Sequence, residues 1–364
     1  MILPQTAATV FSWDLKINGI SVTNPFGELR FSGSVPGFGV SGIATTQFNF
    51  EIYDEHGYYG TALLEDATAE LHFGKGGGRL FGKYYISKRD ISNGVCRFTA
   101  YDFSTDTDGD FDSSGLWQNV TLDYITSGEV LNGLSSQLGI PCRVSDPDDL
   151  DMQITREQLK GRSFNSILEM LAESACGVWC ADGEGGLILI DLNKNEGVYS
   201  YGASSSEYAK IDWRGVQQIG KVIHTNSETG NVEQSGGSKG SVISVENPLV
   251  ARGDGWLGTV WQRVGNYQYQ AWYCEKALLD EHVLGRRLLY STINFEGMPP
   301  LVVGSFIVDV DSTGIYFSGG RDPQSDERWG YVDKVERTKI GIGKSVGSTV
   351  ITESGRIVFI NENK

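Results

Sequence analysis

Long hydrophobic runs are missing from this 364-residue sequence. The longest apolar stretch, Leu301 to Val310, is broken by Gly304, Ser305 and Asp309, whereas a membrane helix needs about 20 apolar residues. Stable insertion into a bilayer is therefore not expected. Met1 to Val10 carries neither the basic region nor the apolar run of a signal peptide, which points to synthesis in a cytoplasm. Positive charge is also short: 30 Lys and Arg face 46 Asp and Glu, a net charge of −16. Such a chain repels duplex DNA and anionic lipid, so specific nucleic-acid binding is not expected. Solubility is the simplest use of this acidity. An acidic wall over which DNA slides without sticking requires a tubular fold.

Cysteine is sparse and odd in number. Cys96, Cys142, Cys176, Cys180 and Cys274 lack the even count and dense spacing of a disulfide framework. Cys176 and Cys180 form C-x-x-x-C with no second Cys/His pair at finger spacing, which argues against zinc. Buried thiols are expected. Proline (9) and methionine (4) are few against 47 Gly. With 11% aromatic residues, the composition favours short strands joined by many turns.

The periodicity agrees. Phe11, Trp13, Leu15 and Ile17 alternate with polar residues, the mark of a half-buried strand, and Asn18-Gly19 supplies a hairpin turn to Ile20. The two-residue period returns at Phe48-Phe50-Ile52, Leu71-Phe73, Tyr84-Ile86 and Cys96-Phe98-Ala100, predicting a barrel or sandwich over residues 1–105. Beyond an acidic loop, Thr126 and Glu129 form a capping box before Val130, Leu131, Leu134 and Leu138, with Gly139 as stop. Ser163 caps a second helix carrying Phe164, Ile167, Leu168 and Leu171, ended by Gly177. A hairpin around Asp182 to Gly186 follows, so residues 106–200 read as small α+β units. In residues 201–364, Ser235 to Ser241 reads as a flexible loop and residues 271–287 as a helix striped by Tyr273, Ala277, Leu284 and Leu288. Strands are expected at Leu301 to Val310, Gly314 to Phe317 and Tyr331 to Lys339, with a closing hairpin from Val350 to Ile360.

Chemical motifs fail on context. Gly236-Gly237-Ser238-Lys239-Gly240 matches a nucleophile elbow, but a Gly/Ser loop precedes it and a strand-like run follows. Gly343-Lys344-Ser345 lacks the glycine of a phosphate loop at Thr338. Asp106, Asp108, Asp110 and Asp112 miss the glycine and glutamate positions of a calcium loop. A solvated acidic loop is the reading there, and of Asp146 to Asp151, with a weak ion site at Asp106, Asp108 and Asp110 left open. Arg252-Gly253-Asp254 is ordinary turn chemistry. His56, His72, His224 and His282 have no acidic partner at motif spacing. No catalytic, cofactor-binding or metal-binding residue is assigned, and no cofactor is expected.

The order of segments says more than any one motif. Phe81-Gly82-Lys83-Tyr84-Tyr85-Ile86 followed by Thr99-Ala100-Tyr101-Asp102 resembles the paired strands of phage tail-tip, or baseplate, hub proteins. Val130 to Ile140 and Gly161 to Ala172, leading into Asp182 to Leu187, resemble their inserted helices and hairpin. Glu246-Asn247-Pro248-Leu249 and Asn294 to Gly304 resemble later elements. The resemblance implies a mainly β chain in which two tube-type β-barrel domains, 1–105 and 201–364, flank two small α+β subdomains in 106–200. It implies a homotrimeric ring that closes the tail tube in the virion tail tip. Its partners would be a tail tube or distal tail protein, a tape-measure protein, and a spike, fibre or lysin component. Contractile tail, non-contractile tail and bacteriocin particle all remain possible. With the chain ending at Lys364, no attached peptidase or lysozyme domain is expected.

Two rivals differ in class. A carbohydrate-binding β module would need exposed aromatics in a groove, for which Trp256, Trp261, Trp272 and Trp329 are candidates, although core packing is their simpler role. A cell-wall hydrolase would need carboxylates brought together from distant parts of the chain.

Overall fold

The computed structural model describes residues 13–24, 26–34, 42–61, 64, 67–73, 79–102, 104, 109–118, 120–145, 150–183, 185–191, 200–202, 211–212, 219–237, 241–250, 255–261, 273–279, 288–289, 291–294, 301–310, 314–320, 348–351 and 357–360. The first strands are β1 (Trp13–Ile17), β2 (Ile20–Ser21), β3 (Phe26–Ser34), β4 (Thr45–Tyr53), β5 (Thr68–Phe73), β6 (Arg79–Ser92) and β7 (Val95–Tyr101), with the single turn α1 (Tyr58–Thr61) ahead of β5. The middle comprises β8 (Tyr124–Thr126), α2 (Ser127–Leu138), β9 (Cys142–Val144), β10 (Gln153–Thr155), α3 (Arg156–Leu159), α4 (Phe164–Ser174), β11 (Gly177–Ala181) and β12 (Leu187–Asp191). Then come β13 (Ser200–Gly202), β14 (Ile211–Asp212), β15 (Ile219–Thr225), β16 (Val232–Gly236), β17 (Ser241–Glu246), β18 (Tyr273–Leu279), β19 (Thr292–Asn294), β20 (Leu301–Val302), β21 (Ser305–Val310), β22 (Ile315–Gly320), β23 (Ser348–Ile351) and β24 (Ile357–Ile360). The protein is mainly β. Among the described residues, no helix is long and apolar enough to cross a membrane.

The expected alternation positions the strands of the amino-terminal block. Leu15 and Ile17 of β1, Phe48, Phe50 and Ile52 of β4, and Cys96, Phe98 and Ala100 of β7 all point into one core. Asn18 and Gly19 adopt φ of 50° and 75°, which lets Ile17 pair directly with Ile20 as a tight hairpin requires. Tyr84 and Ile86 are buried in this same core. The outward face carries charges in pairs: Arg30 with Asp309 at 2.6 Å, Arg97 with Glu51 at 2.6 Å and Lys88 with Asp90 at 2.9 Å.

One sheet joins strands expected in two barrels. Its order is β14-β18-β22-β21-β3-β4-β7-β6-β5-β1-β2. The junction is β21, which pairs antiparallel with β22 on one side and with β3 on the other, from Ser305↔Ser34 to Val310↔Leu29. The two end strands, β14 and β2, have two residues each and one neighbour each. No sheet closes on itself among the described residues.

The middle packs as a layer on that sheet. β11 and β12 form the expected hairpin, and β9 joins β12 in parallel. Side chains alternate across β11: Val178 and Cys180 enter the large-sheet core, while Trp179 enters a second core beneath the helices, with Val130, Leu134, Ile167, Leu168 and Leu171. Backbone ties reinforce the contact. Trp179 N–H donates to Gly42 O at 3.0 Å and Ala44 N–H donates to Trp179 O at 2.8 Å.

Helix caps follow the sequence in detail, with one correction. The Thr126–Glu129 capping box and the left-handed Gly139 bracket α2. Ser163 Oγ accepts from Ser166 N–H at the start of α4. The left-handed residue after α4, however, is Cys176, at φ 47°, not Gly177. Gly177 already belongs to β11, and a Cβ there would lie 2.6 Å from Ile190 O. That glycine permits close strand approach rather than a helix stop.

The helix expected over 271–287 is a strand where described. β18 pairs with β14 and β22, and its register shifts between Cys274 and Ala277. The bulge places Cys274 and Ala277 on the same buried side, which breaks the two-residue alternation that would have marked a strand. Of the loop expected over Ser235 to Ser241, Ser235 and Gly236 end β16 and Ser241 opens β17, while residues 238–240 lie outside the described residues. The closing hairpin is present as β23 and β24, paired from Ser348↔Ile360 to Ile351↔Ile357. The strand expected at Tyr331 to Lys339 lies outside the described residues.

Candidate functional site

The motif residues organise contacts between elements. In Gly82-Lys83-Tyr84, the Tyr84 ring folds over Gly82, so a Cβ at 82 would stand 2.7 Å from that ring. Glycine two residues before the aromatic is thus a steric requirement. Asp102, at the end of β7, accepts Thr46 N–H at 2.7 Å through Oδ2 and Ser104 N–H at 3.0 Å through Oδ1. It pins the exit of β7 to the start of β4. In the β11–β12 turn, Asp182 Oδ1 accepts Gly186 N–H at 2.8 Å, with Gly183 and Gly185 at positive φ.

Asn247 has the widest reach. Its side-chain nitrogen lies 2.8 Å from Met170 O, 3.1 Å from Glu173 Oε2 and 3.3 Å from Ser174 Oγ, all on α4. Its Oδ1 accepts Leu249 N–H at 2.8 Å. His224 of β15 lies 3.1 Å from Asn247 O, and Trp256 donates its indole N–H to Glu173 O at 2.6 Å. This polar cluster seats the helical layer on the β15–β17 sheet. Asn226 extends it by donating to Pro248 O and Val250 O.

Burial perturbs the carboxylates in these cradles. Asp102 is pushed up to about 6 by burial, against the lowering effect of its bonds from Ser104 and Thr46. Glu173 is pushed up to about 7 by burial, with Asn247 opposing and Glu169 adding to the rise. Burial also raises the Tyr84 phenol, with Asp102 adding to it. The two carboxylates occupy different cradles: Asp102 accepts two backbone N–H groups, whereas the Glu173 carboxyl meets the Asn247 side-chain nitrogen, which is shared with two other acceptors. Such groups serve structure as readily as catalysis. A cleft beside Asp102, lined by Phe31, Tyr84, Cys180, Leu289 and Phe306, measures about 50 Å³. That admits a few waters, far below the several hundred Å³ of a small-molecule site.

Asp102 also links folding to pH. Its folded pKa, near 6, lies above an unfolded value of about 4. Its stabilisation is complete below pH 4 and is lost as pH rises through 6. Urea titrations from pH 4 to 8 should show a decline on the order of 2–3 kcal/mol from this group, and Asp102→Asn should remove that component.

The remaining sequence candidates do not converge. Asp106 and Asp108 lie outside the described residues, while Asp110 is exposed and bridges Ser163 through its backbone. No cluster of three metal-ligating side chains occurs among the described residues. Gly236 ends β16 and is followed by β17 rather than a helix, which removes the strand–helix context of a nucleophile elbow. Ser238, Arg252 to Asp254, His282 and Gly343 to Ser345 lie outside the described residues. His56 is exposed, His72 contacts Glu70 at 3.1 Å and His224 is buried. All five cysteines are buried. Trp256 is buried, and Trp261 packs against the core; Trp272 and Trp329 are outside the described residues. Sequence reasoning passed over Asp54 and Glu173. Asp54 caps α1 through Tyr58 N–H and Gly60 N–H, a role signalled only by an Asp ahead of a turn. Nothing local distinguishes Glu173 from a solvated helix residue.

No protein-family model matches the chain, and no curated protein matches its sequence. Solved structures do share its fold. The 43 kDa tail protein of prophage MuSo2 from Shewanella oneidensis superposes with a TM-score of 0.55 at 12% identity, over 85% of this chain and 98% of that one. A tail protein from Neisseria meningitidis MC58 gives 0.52 at 8% identity, over 86% and 97%. Prophage tail protein gp18 from Listeria monocytogenes EGD-e gives 0.51 at 10% identity, over 86% and 96%. The fold is therefore one found in phage tail proteins.

Proposed function

We propose that this chain is a structural hub of a phage or phage-like tail tip, acting through geometry and buried interfaces rather than catalysis. The observation that carries this reading is the likeness to three tail proteins over 85% or more of this chain and 96% or more of theirs. The segment order agrees, with strands on both sides of a compact α+β middle. In this proposal, 1–105 and 201–364 are the tube-type domains and 106–200 the inserted subdomains. Three copies form a ring, in which the short end strands of the large sheet are covered by neighbouring copies. The ring closes the tail tube, meets a tail tube or distal tail protein and a tape-measure protein, and carries a spike, fibre or lysin component. Synthesis takes place in the host cytoplasm and assembly in the virion tail tip. The acidic excess would line the bore and keep DNA from adhering. Burial of Trp256 and packing of Trp261 weigh against a carbohydrate groove.

Light scattering over a dilution series, with negative-stain imaging, tests the proposal. Threefold rings persisting at micromolar concentration are expected, as for obligate interfaces. A monodisperse monomer that forms no ring when tube protein is added would sink it. Clearing of peptidoglycan in zymograms, abolished by a single carboxylate substitution, would replace it with a hydrolase.

A further inference from the structure

The seat of α4 on the β15–β17 sheet contains an acid with too few donors. Glu173 Oε2 faces the Asn247 side-chain nitrogen at 3.1 Å, but that nitrogen also serves Met170 O at 2.8 Å and Ser174 Oγ at 3.3 Å. An amide has two hydrogens for these three acceptors. Glu169, one turn earlier on α4, adds negative charge, as reflected in its contribution to the Glu173 shift. An ionised Glu173 is therefore poorly compensated, whereas a neutral carboxyl needs less and can itself donate.

Among the described residues, the other groups around the seat supply no cation to Glu173. On β15, His224 is committed to Asn247 O at 3.1 Å, with its ring 5.2 Å from that of Trp256. On β16, Glu233 stands opposite His224 and adds another acid. The helical segment 256–261, Trp-Leu-Gly-Thr-Val-Trp, carries no charge. On β17, Ile243 and Val245 face the core while Glu246 faces outward. Glu173 also holds the seat through its backbone, accepting from Trp256 Nε1 and from Cys176 N–H. The Glu173 side chain thus meets the residue after β17, and its backbone carbonyl meets the 256–261 segment.

We infer that this seat is a proton-dependent latch, in which neutral Glu173 holds α4 against the β15–β17 sheet and loss of its proton loosens that contact. The sign follows from linkage. Burial raises Glu173 in the closed seat to about 7, whereas an opened seat restores an ordinary value near 4.3. Closure is favoured fully below the lower value and weakens as pH rises through the upper one. The inference concerns the chain's own conformation and does not depend on the hub reading.

Hydrogen exchange of the full chain, corrected for intrinsic rates, tests the latch at the Asn247 and Leu249 amides. These amides donate to Thr225 O and to Asn247 Oδ1. Raising the pH from 5.5 to 8.5 should reduce their protection about tenfold or more. E173Q should keep protection at its acidic level throughout, and H224Q should retain the pH response. Unchanged protection in the wild type, a surviving response in E173Q, or its loss in H224Q would each overturn the latch. If E173Q fails to fold, carboxyl-carbon NMR of the wild type decides: titration near 7 supports the latch, and titration near 4.5 refutes it.

Discussion

Replacing Trp179 with alanine should lower the unfolding free energy by about 3–5 kcal/mol, the usual range for emptying a buried tryptophan site. Trp179 is fully buried in the core beneath the helices, and its indole N–H donates to Leu168 O at 2.7 Å. Its backbone also ties β11 to residues 42–44 of the large sheet. The truncation therefore opens a cavity under α4 and removes the indole donor from the Leu168 carbonyl. Trp179→Phe removes the same donor with a smaller cavity, with an expected loss of about 1–3 kcal/mol. Urea unfolding of both variants separates the terms. A loss below 1 kcal/mol for the alanine variant would mean that the helical layer is not packed on β11 as described.

A comparable loss, about 3–5 kcal/mol, is expected for Phe48→Ala. Phe48 is fully buried in β4 and stacks on Phe31 at 4.3 Å with the rings 1° from parallel. Phe50 and Tyr84 lie at 4.8 and 5.3 Å. Removing one ring opens a void surrounded by aromatics that are themselves fixed by strand pairing, so little of the void can collapse. Phe48→Leu should lose less, about 1.5 kcal/mol or below, because most of the volume is retained. Ile20→Ala is a suitable control. Ile20 is 74% exposed, and its removal should change stability by no more than about 0.5 kcal/mol. Equal losses for Phe48→Ala and Ile20→Ala would contradict the core assignment.

Local features were legible because their causes are local. A capping box needs only Thr126 and Glu129 three residues apart, and a tight hairpin only Asn18-Gly19 between alternating strands. Both are found where the sequence places them. The failures share one physical origin. At β18, a bulge put Cys274 and Ala277 on a common side, so the two-residue alternation that marks a strand is broken. At Gly177, the sequence shows a glycine after a helix, but it cannot show that Ile190 O will lie against that glycine.

Alternation, turn glycines and helix caps determined by themselves that the chain is mainly β with a helical insertion, because each rests on residues a few positions apart. The resemblance in segment order pointed to the tail-protein fold that solved structures share. Only the tertiary structure decided that β21 would pair with β3, joining Ser305–Val310 to Leu29–Ser34 in one sheet. It alone decided that Asn247 would reach α4, and that burial would raise Asp102 and Glu173. Sheet neighbours and burial depend on which distant segments meet, and no local pattern of residues encodes that meeting.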